Sequence, residues 1–253
     1  MTFLKLILIT LLTIQPTLTA NGLAKEKDAV IINTYQADVT GDGLLEDIDL
    51  MGVPFSNSGD YYHNVWAEVK SKNRDNERWQ INYGDGYEPQ IQFIDANHDN
   101  VQDILYQSSS DKKHMSKQKL HTFASNKLFE ISLPKLDYVS GKFADDYRAD
   151  LKITPNAKPI QINLQNHSDT YIQSGVYSID GKLKKSKSLL LNAPHYYEVV
   201  KLTDDKGYGL RSYKRVSGIS NEDHLGTIES LWYYTDGKWI VLQSEWKDSN
   251  RLD

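Results

Sequence analysis

The chain has 253 residues, no cysteine, and 34 acidic against 29 basic residues, which gives a formal net charge of −5. The lack of cysteine excludes a disulfide framework, thiolate metal sites, a cysteine nucleophile and a lipid-modified N-terminal cysteine. The acidic balance makes nucleic acid and anionic membranes poor partners. The 16 tyrosines and 5 tryptophans favour strands, and an all-β chain of this length is often a single domain.

Residues 1–24 have the pattern of a secretory signal peptide. A lysine precedes the apolar run Leu6–Ile14, and a proline and small residues follow it. We predict cleavage after Ala24, with Ala20 as the alternative, and a secreted mature chain, 25–253, with a net charge of −6. The apolar run is too short to span a bilayer, and no later segment is long and apolar enough to do so.

The first acidic loop, DVTGDGLLEDIDL, begins at Asp38 and has oxygen-bearing side chains at positions 1, 3, 5 and 9. These ligand candidates are Asp38, Thr40, Asp42 and Glu46, with Asp47 as the substitute for position 9 if the loop is one residue longer. Gly43 at position 6 permits the sharp turn that the loop needs. The carbonyl of Leu44 at position 7 is the candidate backbone ligand.

The second acidic loop, DANHDNVQDIL, has the same spacing. Its ligand candidates are Asp95, Asn97, Asp99 and Asp103, together with the carbonyl of Val101. Asn100 at position 6 tolerates a left-handed backbone, and His98 at position 4 is expected to be exposed. Calcium takes six to eight oxygen ligands from carboxylates, amides and carbonyls, so both loops are predicted to bind Ca²⁺.

The flanking sequences argue against an EF-hand. Position 12, which holds a bidentate carboxylate in EF-hands, is Asp49 in the first loop and Tyr106 in the second. The segments before and after each loop alternate with a period of two and contain β-branched and aromatic residues, which predicts strands rather than helices.

The pattern D-x-[NT]-x-D-[GN]-x-x-[DE] followed by an apolar strand resembles the calcium loop of FG-GAP/VCBS repeats, the blades of integrin-like β-propellers. Three stretches resemble, in order, secreted VCBS-repeat proteins of Gram-positive bacteria: YQADVTGDGLLEDIDLMG, GYEPQIQFIDANHDNVQDILYQS and LGTIESLWYYTDGKWIVLQSEW. The resemblance covers most of the mature chain, with Glu46 in place of Asp as its one departure in the two loops. It implies a propeller-type fold and bound calcium.

Two further acidic turns, near Asp145 and Lys201, look like degenerate copies of the loop. The four starting points are separated by 57, 50 and 56 residues, which favours a small β-propeller-like array of about four antiparallel β-meander units. Lys201 and Gly209 replace two anionic ligands in the last copy, so this copy is predicted to bind no calcium.

Hairpin turns are predicted at Asp236-Gly237, at Asp180-Gly181 and near Asp75-Asn76. The polar segment 107–119 is predicted to be a loop. The clustered aromatic residues near the C-terminus are expected to form core contacts and cross-strand pairs rather than a sugar platform; they are Trp232, Tyr233, Tyr234, Trp239 and Trp246.

The sequence contains neither H-E-x-x-H nor G-x-S-x-G. We therefore expect a non-enzymatic, monomeric calcium-binding protein with structural ions and a recognition or adhesion role at the cell envelope. Its partner is expected to be a protein or a cell-wall polymer. Four lysines are expected to form the solvated face of an edge strand, with a polyanion contact as the alternative: Lys182, Lys184, Lys185 and Lys187. The alternatives are a secreted hydrolase on a calcium-stabilised β scaffold and an inhibitor of a secreted enzyme.

Overall fold

The computed structural model describes residues 28–56, 59–73, 77–109 and 116–249. The predicted signal peptide and the predicted turn at Asp75-Asn76 lie outside these residues. The all-β prediction is confirmed, and every strand pairing in the described residues is antiparallel. The described helices are a 3-10 turn at Gln165–His167 and α1 at Ser168–Gln173. None of them is long and apolar enough to cross a membrane.

The first sheet is a seven-stranded meander in which each strand pairs with its neighbours in the chain. Its strands are β1 (Val30–Ala37), β2 (Glu46–Pro54), β3 (Tyr61–Lys70), β4 (Arg78–Ile94), β5 (Asp103–Ser109), β6 (Ser116–Ala124) and β7 (Lys127–Ile131). The alternation in β2 is typical: Glu46, Ile48 and Leu50 are buried, and the residues between them are partly exposed. One face of this sheet is therefore a core face.

The first sheet curls so that β1 approaches β4. The Tyr35 hydroxyl accepts a hydrogen bond from the Ile91 amide at 3.2 Å, and the Tyr35 and Phe93 rings meet edge to face at 5.8 Å. Register shifts near Val65 and between Tyr87 and Gln90 interrupt the pairing along β4. Such irregularities bend a strand and increase its twist.

The second sheet has three strands in the order β10-β9-β8, and the third has five. The bounds of the second are β8 (Ser140–Ala144), β9 (Arg148–Lys152) and β10 (Ile160–Asn163). The bounds of the third are β11 (Leu190–Leu191), β12 (Tyr196–Thr203), β13 (Gly207–Ser217), β14 (His224–Thr235) and β15 (Lys238–Asp248). Both β11 and β12 pair with β13, which also pairs with β14.

Three apolar clusters hold the sheets together. One lies on the core face of the first sheet, and a second lies among residues 136–232, around Tyr171 and Tyr177. The third joins the first and third sheets, since Leu105 and Leu120 pack with Tyr197 and Leu210. This third cluster fixes the position of the β4–β5 loop against the C-terminal strands.

The hairpin at Asp236-Gly237 is confirmed, whereas Asp180-Gly181 forms a turn that is closed by a single bridge between Tyr177 and Leu183 and is flanked by no strand of the described residues. Asp236 and Gly237 have φ of 50° and 73° and connect β14 to β15, while Gly181 has φ of 78°. The predicted loop at 107–119 is wrong at both ends, because Gln107 belongs to β5 and Ser116 begins β6. The array of four meander units is not confirmed: the first two predicted units lie together in the seven-stranded sheet.

Candidate metal centre

The two acidic loops occupy equivalent places in the first sheet. The loop that starts at Asp38 connects β1 to β2, and the loop that starts at Asp95 connects β4 to β5. In each loop, position 9 is the first residue of the following strand, Glu46 in one and Asp103 in the other. The sequence spacing therefore places the last acidic ligand candidate where the chain enters a buried strand.

Both loops have the same backbone pattern. Positions 4 and 6 are left-handed in each: Gly41 and Gly43 have φ of 73° and 83°, and His98 and Asn100 have φ of 62° and 66°. Glycine adopts this conformation freely and asparagine tolerates it, whereas histidine is less suited to it. The likeness of the loops thus extends from their acidic residues to their chain path.

The side chains at positions 1 and 5 accept matching hydrogen bonds from loop amides. Asp38 and Asp95 each accept the amide of position 6 at 3.0 Å. Asp42 and Asp99 each accept the amide of position 7 at 2.9 Å. These bonds form within each loop and stabilise its turns.

The acids at position 9 are fully buried, and each accepts the amide of position 2. Glu46 binds the Val39 amide at 2.9 Å, and Asp103 binds the Ala96 amide at 2.8 Å. Burial raises the pKa of Glu46 above its ordinary value, against the hydrogen bonds from Val39 and Thr40. Burial also raises the pKa of Asp103 to about 6, although the Thr122 hydroxyl and the Ala96 amide lower it. Burial therefore disfavours the ionised form of each of these carboxylates.

The polar groups at position 3 also face the acids of their own loops. The Thr40 hydroxyl donates to Glu46 at 3.1 Å, and the Asn97 side-chain amide donates to Asp99 at 2.9 Å. Two carboxylate oxygens are buried with no hydrogen-bond partner in the described residues, Oδ2 of Asp42 and Oδ1 of Asp103. Buried oxygens without partners are costly, and a hard cation satisfies them.

The donor set of each loop fits calcium chemically, since it combines carboxylates with hydroxyl, amide and carbonyl oxygens. No three histidine, cysteine, aspartate or glutamate side chains in the described parts of the chain stand close enough together to hold a metal ion.

The structure separates the two candidates for position 9 in the first loop. Glu46 points into the core, whereas Asp47 lies on the other face of β2, where its carboxylate accepts the Gln36 amide at 2.7 Å and pairs with Lys72 at 3.1 Å. These contacts lower the pKa of Asp47, with Gln36 as the main cause. The counterpart of Asp103 is thus Glu46.

The prediction that His98 is exposed is wrong. Its ring is half-buried and stacks on the Tyr233 ring of β14 at 4.6 Å, and its Nε2 is buried with no partner among the residues described. The reason lies in tertiary packing: the third cluster packs the β4–β5 loop against the third sheet, which brings His98 next to β14. Nothing in the local sequence signals this contact, apart from a bulky residue at a left-handed position.

A double-mutant cycle measures this stacking. His98→Asn keeps a residue that tolerates the left-handed backbone, and Tyr233→Ala removes the ring beneath it. We expect a coupling energy of about 0.5–1.5 kcal/mol between the two changes, measured by urea unfolding. Strictly additive losses of stability would show that the two rings do not stabilise each other.

The two degenerate copies form tight hairpins. Residues 145–147 connect β8 to β9, and the Asp145 carboxylate accepts the Leu183 amide at 2.9 Å. Residues 204–206 connect β12 to β13, where Lys201 pairs with Asp204 at 2.6 Å. The lysine that replaces the first ligand candidate thus neutralises an acid of its own turn.

Comparison with known proteins gives a match in the C-terminal half. The family described as YybI C-terminal domain matches residues 137–247, which contain the second sheet and nearly all of the third. The uncharacterized protein YybI of Bacillus subtilis (strain 168) is 22% identical over 214 residues, which cover 80% of this chain and 79% of that protein. No solved structure matches the chain. Both acidic loops precede the region matched by the family.

Proposed function

We propose that the protein binds calcium at the Asp38 and Asp95 loops and that the ions have a structural role. One observation carries this proposal: two loops far apart in the sequence share left-handed positions, internal hydrogen bonds and a buried acid at position 9. An acidic turn that binds no ion does not require this combination of features. The carboxylates of each loop repel one another, and a divalent cation bound between them offsets this repulsion.

The residues that would hold the ions are those that the spacing selects. In the first loop they are Asp38, Thr40, Asp42, Glu46 and the Leu44 carbonyl; in the second they are Asp95, Asn97, Asp99, Asp103 and the Val101 carbonyl. A bound ion supplies positive charge beside the buried position 9 carboxylates. Because it binds the folded loop and not the unfolded chain, it stabilises the fold.

The wider role that we propose is recognition or adhesion at the cell envelope by a secreted protein. It is supported by the signal-like N-terminus and by the resemblance to secreted FG-GAP/VCBS proteins, and the four-unit propeller remains a prediction of that resemblance. The proposed partner is a protein or a cell-wall polymer. Four lysines that are exposed in the structure suit an anionic polymer: Lys182, Lys184, Lys185 and Lys187.

Calorimetric titration of the mature chain with calcium tests the proposal. The wild-type protein should bind two ions, and Asp99→Ala and Asp42→Ala should each leave one, because each removes a central carboxylate ligand. Asp204→Ala is the matched control, since it removes an acid from a hairpin turn that lies outside both loops. An unchanged stoichiometry in both loop variants would refute the ligand assignment.

A further inference from the structure

The two acidic loops touch each other. The Gln102 amide, at position 8 of the second loop, donates a hydrogen bond of 3.1 Å to the Asp38 carbonyl at position 1 of the first. This bond joins the first ligand candidate of one loop to the backbone between the last two ligand candidates of the other. A change in the backbone path of either loop therefore disturbs the backbone of the other.

A close side-chain approach reinforces this bond. A Cβ atom added to Gly41 would lie 2.6 Å from Cγ2 of Val101, closer than such atoms come in proteins. Gly41 occupies position 4 of the first loop, and Val101 supplies the candidate backbone ligand of the second. Gly41 is thus required for its left-handed backbone, with φ of 73°, and also for the space that it leaves to the other loop.

The curl of the first sheet produces this contact. β1 and β4 end at the two loops, and the Tyr35 contacts to Ile91 and Phe93 hold these strands against each other. The contacts between β1 and β4 therefore determine how closely the two loops approach each other.

We propose that the Asp38 and Asp95 loops are one coupled calcium-binding unit, in which an ion in either loop raises the affinity of the other. This inference rests on the proposed function. An ion that fixes the path of one loop holds the Gln102–Asp38 bond and the Gly41–Val101 contact in place, so the second loop loses less freedom when it binds. Charge repulsion between the two ions acts in the opposite direction and is screened by the loop carboxylates.

The first test removes one site and measures the other. In the full mature chain, Asp42→Asn should eliminate binding at the first loop and weaken calcium binding at the second by about 5–10-fold, the range of a modest coupling energy. By reciprocity, Asp99→Asn should weaken the first loop by the same factor. Calorimetric titration with calcium chloride gives both dissociation constants.

The second test uses two glycines of one loop. Gly41→Ala and Gly43→Ala impose similar backbone strain, but only the first meets Val101, since nothing lies within 4 Å of a Cβ at Gly43. In the Asp42→Asn background, where the first loop binds no ion in any variant, Gly41→Ala should weaken calcium binding at the Asp95 loop by about a further fivefold or more, and Gly43→Ala should leave that site within about twofold of the Asp42→Asn parent. Val101→Ala in the Gly41→Ala background should restore the affinity, because it removes the methyl group that clashes.

The outcomes distinguish the coupling from the function on which it rests. Two ions that bind independently, with the Asp95 site unaffected by Asp42→Asn and by Gly41→Ala, would overturn the coupling and leave the calcium assignment standing. Equal losses in Gly41→Ala and Gly43→Ala, with no rescue by Val101→Ala, would also overturn the loop contact as its route. A wild-type chain that binds no calcium would overturn both proposals. Circular dichroism of each variant checks that it is folded.

Discussion

Removal of calcium should lower the melting temperature of the protein by roughly 10 °C. A site with a dissociation constant of about 10⁻⁴ M contributes about 2.7 kcal/mol at a hundredfold higher calcium concentration. For a chain of this size each kcal/mol corresponds to about 2–4 °C, so two sites give at least this shift. Thermal unfolding followed by circular dichroism, in 10 mM calcium chloride and then in excess EGTA, measures it.

The Asp103→Asn variant makes this prediction more specific, because it should stabilise the calcium-free protein and reduce the additional stability that calcium gives. In EGTA, the change removes a buried charge whose Oδ1 has no partner in the described residues, and we expect the variant to be more stable than wild type by about 1–3 kcal/mol. In calcium, the variant has lost a ligand of the second loop, and the stabilisation by calcium should fall to about half of the wild-type value or less.

Asp47→Asn is the matched control for Asp103→Asn. It removes an acid next to Glu46 that lies on the outer face of β2, bound to Gln36 and Lys72. We expect it to retain the full calcium-dependent shift. Melting curves that coincide with and without calcium, for the wild type and both variants, would show that no ion stabilises this fold.

Gln107→Ala should destabilise the protein by about 3 kcal/mol. The buried Gln107 side chain donates to the Tyr197 carbonyl and accepts from the Tyr197 amide, both at 2.8 Å. Its loss leaves two backbone groups of β12 unpaired between the first and third sheets, at about 1–3 kcal/mol each. Urea unfolding at equilibrium measures the difference.

Gln118→Ala is the control for this bridge. Gln118 also donates to a backbone carbonyl of the C-terminal half, that of His195 at 2.9 Å, but at an exposed position. Because water can replace that bond, we expect a loss of about 1 kcal/mol or less. Equal losses in the two variants would mean that Gln107 does not hold the two sheets together.

The local form of the candidate site follows from the sequence. The spacing of Asp38, Asp42 and Glu46, repeated from Asp95, defines two loops between strands, and the structure has them there. The glycine and the asparagine at position 6, Gly43 and Asn100, signal the left-handed turn correctly. The sequence analysis leaves Glu46 and Asp47 as alternatives, and it is the structure that places Glu46 on the core face of β2 together with Ile48 and Leu50.

The long-range contacts do not follow from the sequence in the same way. The sequence analysis places Gln107 and Ser108 in a polar loop, yet both are buried in β5. The local sequence does not reveal this, because Gln107 makes its hydrogen bonds to the backbone of Tyr197, 90 residues away. The near-constant spacing of the acidic turns finds hairpins at Asp145 and near Lys201 but does not show how the strands divide into sheets. The meeting of Gly41 with Val101 depends on the approach of β1 to β4, which no periodicity in the sequence reveals.

The most direct test of calcium binding at the two loops is a crystal structure of the protein grown in calcium, with anomalous scattering used to locate the ions. We expect two anomalous peaks. One should be enclosed by the oxygens of Asp38, Asp42 and Glu46, and the other by those of Asp95, Asp99 and Asp103. Loops without anomalous peaks at saturating calcium, with their carboxylates still directed to the loop amides, would contradict it.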